Sequence, residues 1–206
     1  MAILYIETNF LMSIATGRDP DANNLLLSIP TSVNIAIPNI CCMEALSALE
    51  DEIKRRNRFF GEMQKQISQL KRDKTSPSAQ SLVFHLEEAL TENEGLLNDI
   101  NVRLFNALDL LVTKVEMIQL TAQILRENLN SNFIEEDPTD NLILNCILNH
   151  AHLQPNQVKV FLSNNTKEFS LPSVQDAFRE VGITKYFSRT EDFLGWLQSQ
   201  SFDFRF

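Results

Sequence analysis

Ala2-Ile3-Leu4-Tyr5-Ile6-Glu7-Thr8-Asn9 opens the chain with a short apolar run that stops at an acid and an amide. An aliphatic run of this length reads as a strand buried on both faces, the habit of parallel sheets covered by helices. The same grammar recurs. Val33-Asn34-Ile35-Ala36-Ile37-Pro38 is followed six residues later by Glu44. Asp137-Pro138-Thr139-Asp140 opens the apolar Leu142-Ile143-Leu144, and Val158-Lys159-Val160-Phe161-Leu162 runs into Ser163-Asn164-Asn165 and Lys167-Glu168-Phe169. Short strands followed by helical patterns predict an α/β fold with a parallel sheet flanked by helices. Ligands in such folds bind outside the carboxyl ends of the strands. Glu7 and Asn165 fall just after two strands, and Glu44 and Asp140 at or near helix starts. These four polar side chains, far apart in sequence, are therefore expected at one edge of the sheet.

Between these segments the periodicity is helical. A short helix is predicted from Asn9 to near Ala15, a turn at Gly17-Arg18-Asp19-Pro20, and a second short helix over 21–29. Residues 41–72 then read as one long helix. Leu46, Leu49, Ile53, Phe60, Met63, Ile67 and Leu70 follow alternating steps of three and four, with Arg56 the only non-apolar member. Charge and proline in 71–78 break the pattern, and a second long helix is predicted over 78–112. Its leucines 90, 97, 104 and 111 recur every seven residues, with Leu86, Ile100 and Leu108 on the same face. Two such stripes joined by a short polar turn predict an antiparallel hairpin over 41–112, with Leu70 nearest Leu86 and Leu46 nearest Leu108. Asn93 and Gly95 are expected to soften its middle. The remaining elements are an extended stretch at 114–119, helices at 120–130, 139–152, 172–180 and 190–199, and strands at 158–162 and 184–187.

At 206 residues the chain is expected to form a single domain, 1–206, containing the hairpin. The apolar N-terminal run is too short and too soon interrupted by Glu7 for a signal peptide. No run approaches the ~18 apolar residues that a membrane span needs. The cytoplasm is the expected location. Cys41, Cys42 and Cys146 are an odd count without metal-binding spacing and read as reduced thiols. His85, His150 and His152 read as helix-surface or helix-end residues. A net charge of −9 opposes a nucleic-acid partner unless cations are local.

The order of the four polar segments resembles the PIN domain, a metal-dependent ribonuclease fold familiar from toxin–antitoxin pairs. Glu7-Thr8-Asn9 stands where that family usually has Asp-x-Asn or Asp-x-Ser, and Glu44 matches its second acid. Asp140 matches its third, and Ser163, Asn165, Glu168 and Phe169 its fourth motif. The resemblance covers roughly 1–50 and 113–200, leaving the hairpin as an insertion that compact members lack. It implies a PIN-like parallel sheet, a bound Mg²⁺ or Mn²⁺, and hydrolysis of RNA phosphodiester bonds. It also implies an antitoxin protein as a partner to look for. Glu7 and Asp140 would be metal ligands, with Glu44 a ligand directly or through water. Asn165 would be a neutral ligand or water-positioner. Asn9 would orient Glu7, Ser163 would brace the fourth position, and Glu168 would replace an acid found near it.

Two departures bear on activity. Glu7 extends its carboxylate one bond beyond an Asp, and Asn165 brings no charge. A PIN-like binding module with a weakened site, whose hairpin docks a protein or RNA, is therefore the competing expectation. On the hairpin, Lys54, Arg55 and Arg58 offer an RNA grip, but Glu50, Asp51 and Glu52 beside them suit an ordinary solvated face. The leucine stripe suits internal packing first and a homodimer seam second.

Overall fold

The computed structural model describes residues 1–202. Five parallel strands, β1 (Ala2–Ile6), β2 (Val33–Pro38), β3 (Glu116–Ile118), β4 (Val158–Leu162) and β5 (Ile183–Phe187), form one sheet in the order β3-β2-β1-β4-β5. Every residue of β1 is buried, as its unbroken apolar run requires of a central parallel strand. Leu4 lies opposite Ile35 on one side and Val160 on the other. The chain builds outward from β1 to β2 and β3, then returns to lay β4 and β5 on the opposite flank. Strand order thus reverses between β1 and β4, and the crevice at their carboxyl ends is the natural ligand position.

The described helices are α1 (Thr8–Ala15), α2 (Pro20–Leu27), α3 (Ile40–Leu70), α4 (Pro77–Lys114), α5 (Ala122–Asn130), α6 (Pro138–His152), α7 (Thr166–Phe169), α8 (Pro172–Glu180) and α9 (Thr190–Phe202). The single turn α7 is too short to leave a periodic signal in sequence. No described helix is long and apolar enough to cross a membrane.

The long helices α3 and α4 pair as an antiparallel hairpin, and none of the predicted seam residues is exposed. Arg56, the charged member of the seam, donates to Glu52 at 2.7 Å and to Asn93 across the hairpin at 3.0 Å. Near the tip, Lys71 pairs with Glu87 at 2.7 Å. Both cross-contacts fit the register that places Leu70 near Leu86. Asn93 therefore ties the helices together rather than softening them, and α4 continues unbroken through Gly95. The root of the hairpin belongs to the main core, through Leu49, Ile100, Leu104, Ala107 and Leu111. Gly17, at a φ of 69°, turns the chain from α1 to α2 where an added Cβ would lie 2.8 Å from the Arg103 guanidinium.

Two polar devices anchor the C-terminal end of α6. His150 lies between the Tyr5 hydroxyl, 2.9 Å from Nδ1, and Glu116, 3.1 Å from Nε2. His150 is the helix-end residue that the sequence allowed, but its partners come from β1 and β3, which local spacing cannot reveal. Lys159, buried in β4, donates to the carbonyls of Ala151 and Val181, and burial lowers its pKa. Gly182, at a φ of 79°, leaves room for that ammonium, since an added Cβ would sit 3.3 Å from Nζ.

Leu104 is fully buried where the hairpin meets the core, whereas Leu97 is half-buried further out. Leu104→Ala should lower unfolding stability by about 2–5 kcal/mol in denaturant titrations, and Leu97→Ala by clearly less. Equal losses would mean that the root and outer hairpin are packed alike.

Candidate metal centre

The crevice between β1 and β4 is built by four chain segments. Glu7 leaves β1 and caps α1, its Oε2 accepting the Asn9 backbone N–H at 2.6 Å. Its position is 1% exposed, and Oε1 is buried without a hydrogen-bond partner. Burial is the first cause that pushes the Glu7 pKa up to about 8; the Asn9 N–H and the Ser163 hydroxyl oppose it, while Asp140 and Glu44 add to it. Ser163 favours the charged form without satisfying Oε1.

Glu44 projects from the second turn of α3 and accepts from the Thr8 hydroxyl. Burial raises its pKa, with Asp137 adding to the rise. Asp140 sits in the first turn of α6, and Asp137 caps that helix by accepting from the Thr139 and Asp140 N–H groups at 2.9 and 3.0 Å. Burial first, then the charges of Asp137, Glu44 and Glu168, push the Asp140 pKa up to about 7. For all three acids loss of water, rather than repulsion between neighbouring carboxylates, is the larger cause of the rise.

The fourth segment follows β4. Asn165 donates from Nδ2 to Asp140 Oδ2 at 2.7 Å, and its own backbone N–H donates to Ser163 Oγ at 3.0 Å. Ser163 is fixed in turn by the Tyr186 hydroxyl on its carbonyl at 2.8 Å. Glu168, on α7, is buried and paired with Lys167 at 3.1 Å. Asn9 meets Glu7 through its backbone N–H rather than through its side chain.

Three supports escaped sequence reading. Thr8 orients Glu44. Burial raises the pKa of the Cys41 thiol well above the usual range; its hydrogen bond with Thr8 opposes the rise, and the charges of Glu7 and Glu44 add to it. Asn141 accepts from the N–H groups of Phe133 and Ile134 at 2.9 and 3.1 Å, and with Asn145 it donates to Asn128, binding α5 to α6 beneath Asp140. The Asn141–Asn145 spacing, two amides on one apolar helix face, was the signal available for this network.

Lys54, Arg55 and Arg58 are not part of this cluster. Lys54 lies ten residues beyond Glu44 on α3, about 15 Å along the axis. It pairs with Asp51 at 2.9 Å and Arg55 pairs with Glu52, while Arg58 has no ion-pair partner among the described residues. The first two behave as members of a solvated helix face.

All the gathered donors are oxygen atoms apart from the Cys41 thiol, a set that suits Mg²⁺ or Mn²⁺. The orphaned Oε1 of Glu7 and the high pKa values of Glu7 and Asp140 fit a place where a cation would compensate buried negative charge. Among the described residues, no three His, Cys, Asp or Glu side chains are yet close enough to hold an ion as they stand. A family model of the PIN domain matches residues 4–169, and the chain belongs to that family. No curated protein and no solved structure matches it.

Glu7 and Asp140 keep protons in the folded chain that ordinary carboxyls release near pH 4.5 and 3.8. The native state then binds more protons than the unfolded one, so stability falls as pH rises. In buffer free of divalent cations, unfolding stability should decline from about pH 5 through pH 8. Glu7→Gln should flatten that decline; an unaltered slope would show that Glu7 is already ionised in the folded chain.

Proposed function

We propose that the chain is a metal-dependent endoribonuclease, acting in the cytoplasm, that hydrolyses RNA phosphodiester bonds. The observation that carries this reading is the buried, unpartnered Oε1 of Glu7, set beside Asp140 and Glu44 where the strand order reverses. A buried carboxylate oxygen without a partner is costly, and a cation is the partner that carboxylates at such a point suit. Glu7 and Asp140 would hold Mg²⁺ or Mn²⁺, with Glu44 binding directly or through water. When bound, the cation supplies Lewis acidity and lowers the pKa of a water molecule.

The chain's own groups prepare that event. The Asn9 N–H holds one oxygen of Glu7 and leaves the other free. Thr8 aims the Glu44 carboxylate, and Asn165 aims that of Asp140. Loading must displace the protons of Glu7 and Asp140, so cation affinity should rise with pH through about 7 to 8. RNA is the partner in this reading. An antitoxin would be signalled by a small adjacent reading frame, and a hairpin-mediated homodimer by light scattering.

A second reading, a PIN-domain binding module whose hairpin docks a protein or RNA, has one observation in its favour: the acids do not yet form a three-residue holding group among the described residues. Calorimetry separates the two. Absence of Mn²⁺ binding in the millimolar range would select the module.

An RNA panel incubated with Mg²⁺ or Mn²⁺ should be cleaved, faster with Mn²⁺ because it tolerates a looser oxygen site. Glu7→Gln and Asp140→Asn should remove the activity, and cleavage surviving in both variants would sink the assignment. Asn165→Asp replaces a donor to Asp140 with a like charge. It should destabilise the cation-free protein yet strengthen Mn²⁺ binding by on the order of 1 kcal/mol or more. Identical affinities would take Asn165 out of the cation's surroundings.

A further inference from the structure

We propose that the cleft between the 131–137 loop and helices α7 and α8 is a pocket for one unpaired base with a hydrogen-bond donor edge, guanine above all, in the RNA strand the acid site would cut. This inference rests on the ribonuclease reading and adds base selectivity to it. The cleft has a volume of about 470 Å³. That lies within the ~300–1,000 Å³ of small-ligand sites, room for a nucleotide and not for a duplex. It adjoins the acid site through Glu168, which lines the cleft and whose charge acts on Asp140.

The lining has the chemistry of base recognition. Phe133 and Leu171 are its half-buried apolar walls. Splayed-out bases stack on such aromatic rings and are read along their Watson–Crick edges. The ring is presented by backbone that is already held. The Phe133 N–H donates to Asn141 at 2.9 Å, its carbonyl accepts from Ser173 at 3.2 Å, and the next residue, Ile134, is fully buried. Little ordering cost is left for binding.

Charge selects among the bases. Lys167 engages Glu136 at 2.7 Å and Glu168 at 3.1 Å. Glu135 lines the cleft, is exposed, and has no hydrogen-bond or ion-pair partner among the described residues. An ionised carboxylate only accepts, at two oxygens side by side. Guanine presents adjacent N1–H and N2–H donors that match it. Adenine and cytosine offer a single amine, and the N3–H of uracil is flanked by carbonyl oxygens that a carboxylate repels. An ammonium has three N–H donors, of which Lys167 uses two. The third is free for a phosphate oxygen of the same nucleotide.

The test uses the full, isotope-labelled chain in EDTA-containing buffer, titrated separately with 5′-GMP, AMP, CMP and UMP and followed by backbone amide shifts. Shifts should cluster at 132–136 and 167–173, with GMP binding at least about tenfold more tightly than UMP. Glu135→Gln, at an exposed position, should reduce that ratio below about threefold, and Phe133→Ala should weaken all four nucleotides. Equal affinities, no binding, shifts centred elsewhere, or indifference to both substitutions would each overturn the pocket. No cation and no cleavage enter the measurement. RNA cleavage with equal nucleotide affinities would therefore sink the pocket alone, whereas selective GMP binding without RNA cleavage would sink the nuclease reading and leave the pocket standing.

Discussion

The constraint on which this molecule turns is the burial of the Glu7 carboxyl at the reversal of strand order. β1 is buried along its whole length, so the first residue beyond it emerges into a crevice already walled by protein. A carboxyl there loses water before it gains partners, and one oxygen gains none. Its high pKa is the measure of that loss. Asp140 shares the condition at the head of α6, and Glu44 shares it partly on α3. The polar contacts around them, Thr8 on Glu44 and Asn165 on Asp140, hold directions rather than neutralise charge. No basic side chain enters to complete the balance as an ion pair with Glu7, Glu44 or Asp140 among the described residues.

Precision at the crevice depends on parts remote from it. α6 carries Asp140 at one end, and its other end is secured by His150 and by Lys159 beneath Ala151. Its flank is fixed by the amides of Asn141 and Asn145 against α5. α3 carries Glu44 in its second turn, and its length is packed against α4 along an apolar seam. The hairpin therefore has a role at its root whatever its outer part contacts, because its root residues share the core with β1 and α1. The one charged member of the seam, Arg56, is satisfied by Glu52 and Asn93, which helps fix the register of the pair.

The acidic balance of the chain takes on a local meaning in the structure. Of the basic residues offered by the hairpin, Lys54, Arg55, Lys65 and Lys71 are held by nearby acids. Lys167 is different, because it stands beside the acid site and between two glutamates. Its position reduces repulsion in the cleft without making the cleft basic. The cleft beside it presents one ammonium, one aromatic wall and, in Glu135, a carboxylate without an ion-pair partner among the described residues.

The strands, the long helices and the four polar segments were legible in sequence because each depends on local pattern. Unbroken apolar runs mark buried strands, alternating steps of three and four mark helix seams, and acids at strand ends point to the carboxyl edge of a parallel sheet. The resemblance to the PIN-domain family rested on the order of those polar segments, and the family model over residues 4–169 shows the membership. What sequence could not supply were relations between distant residues. Tyr5 with His150, Lys159 with Val181, Thr8 with Glu44 and Phe133 with Asn141 are joined by topology, not by spacing. Nor could it show that Asn9 acts through its backbone, or that dehydration outweighs mutual repulsion in raising the acids' pKa values. Those depend on how much water and which partners remain around each group once the chain has closed. Local sequence determined the elements and the kinds of side chain brought to the edge; tertiary structure alone decided which of them lost water, which found partners and that Oε1 of Glu7 was left without one.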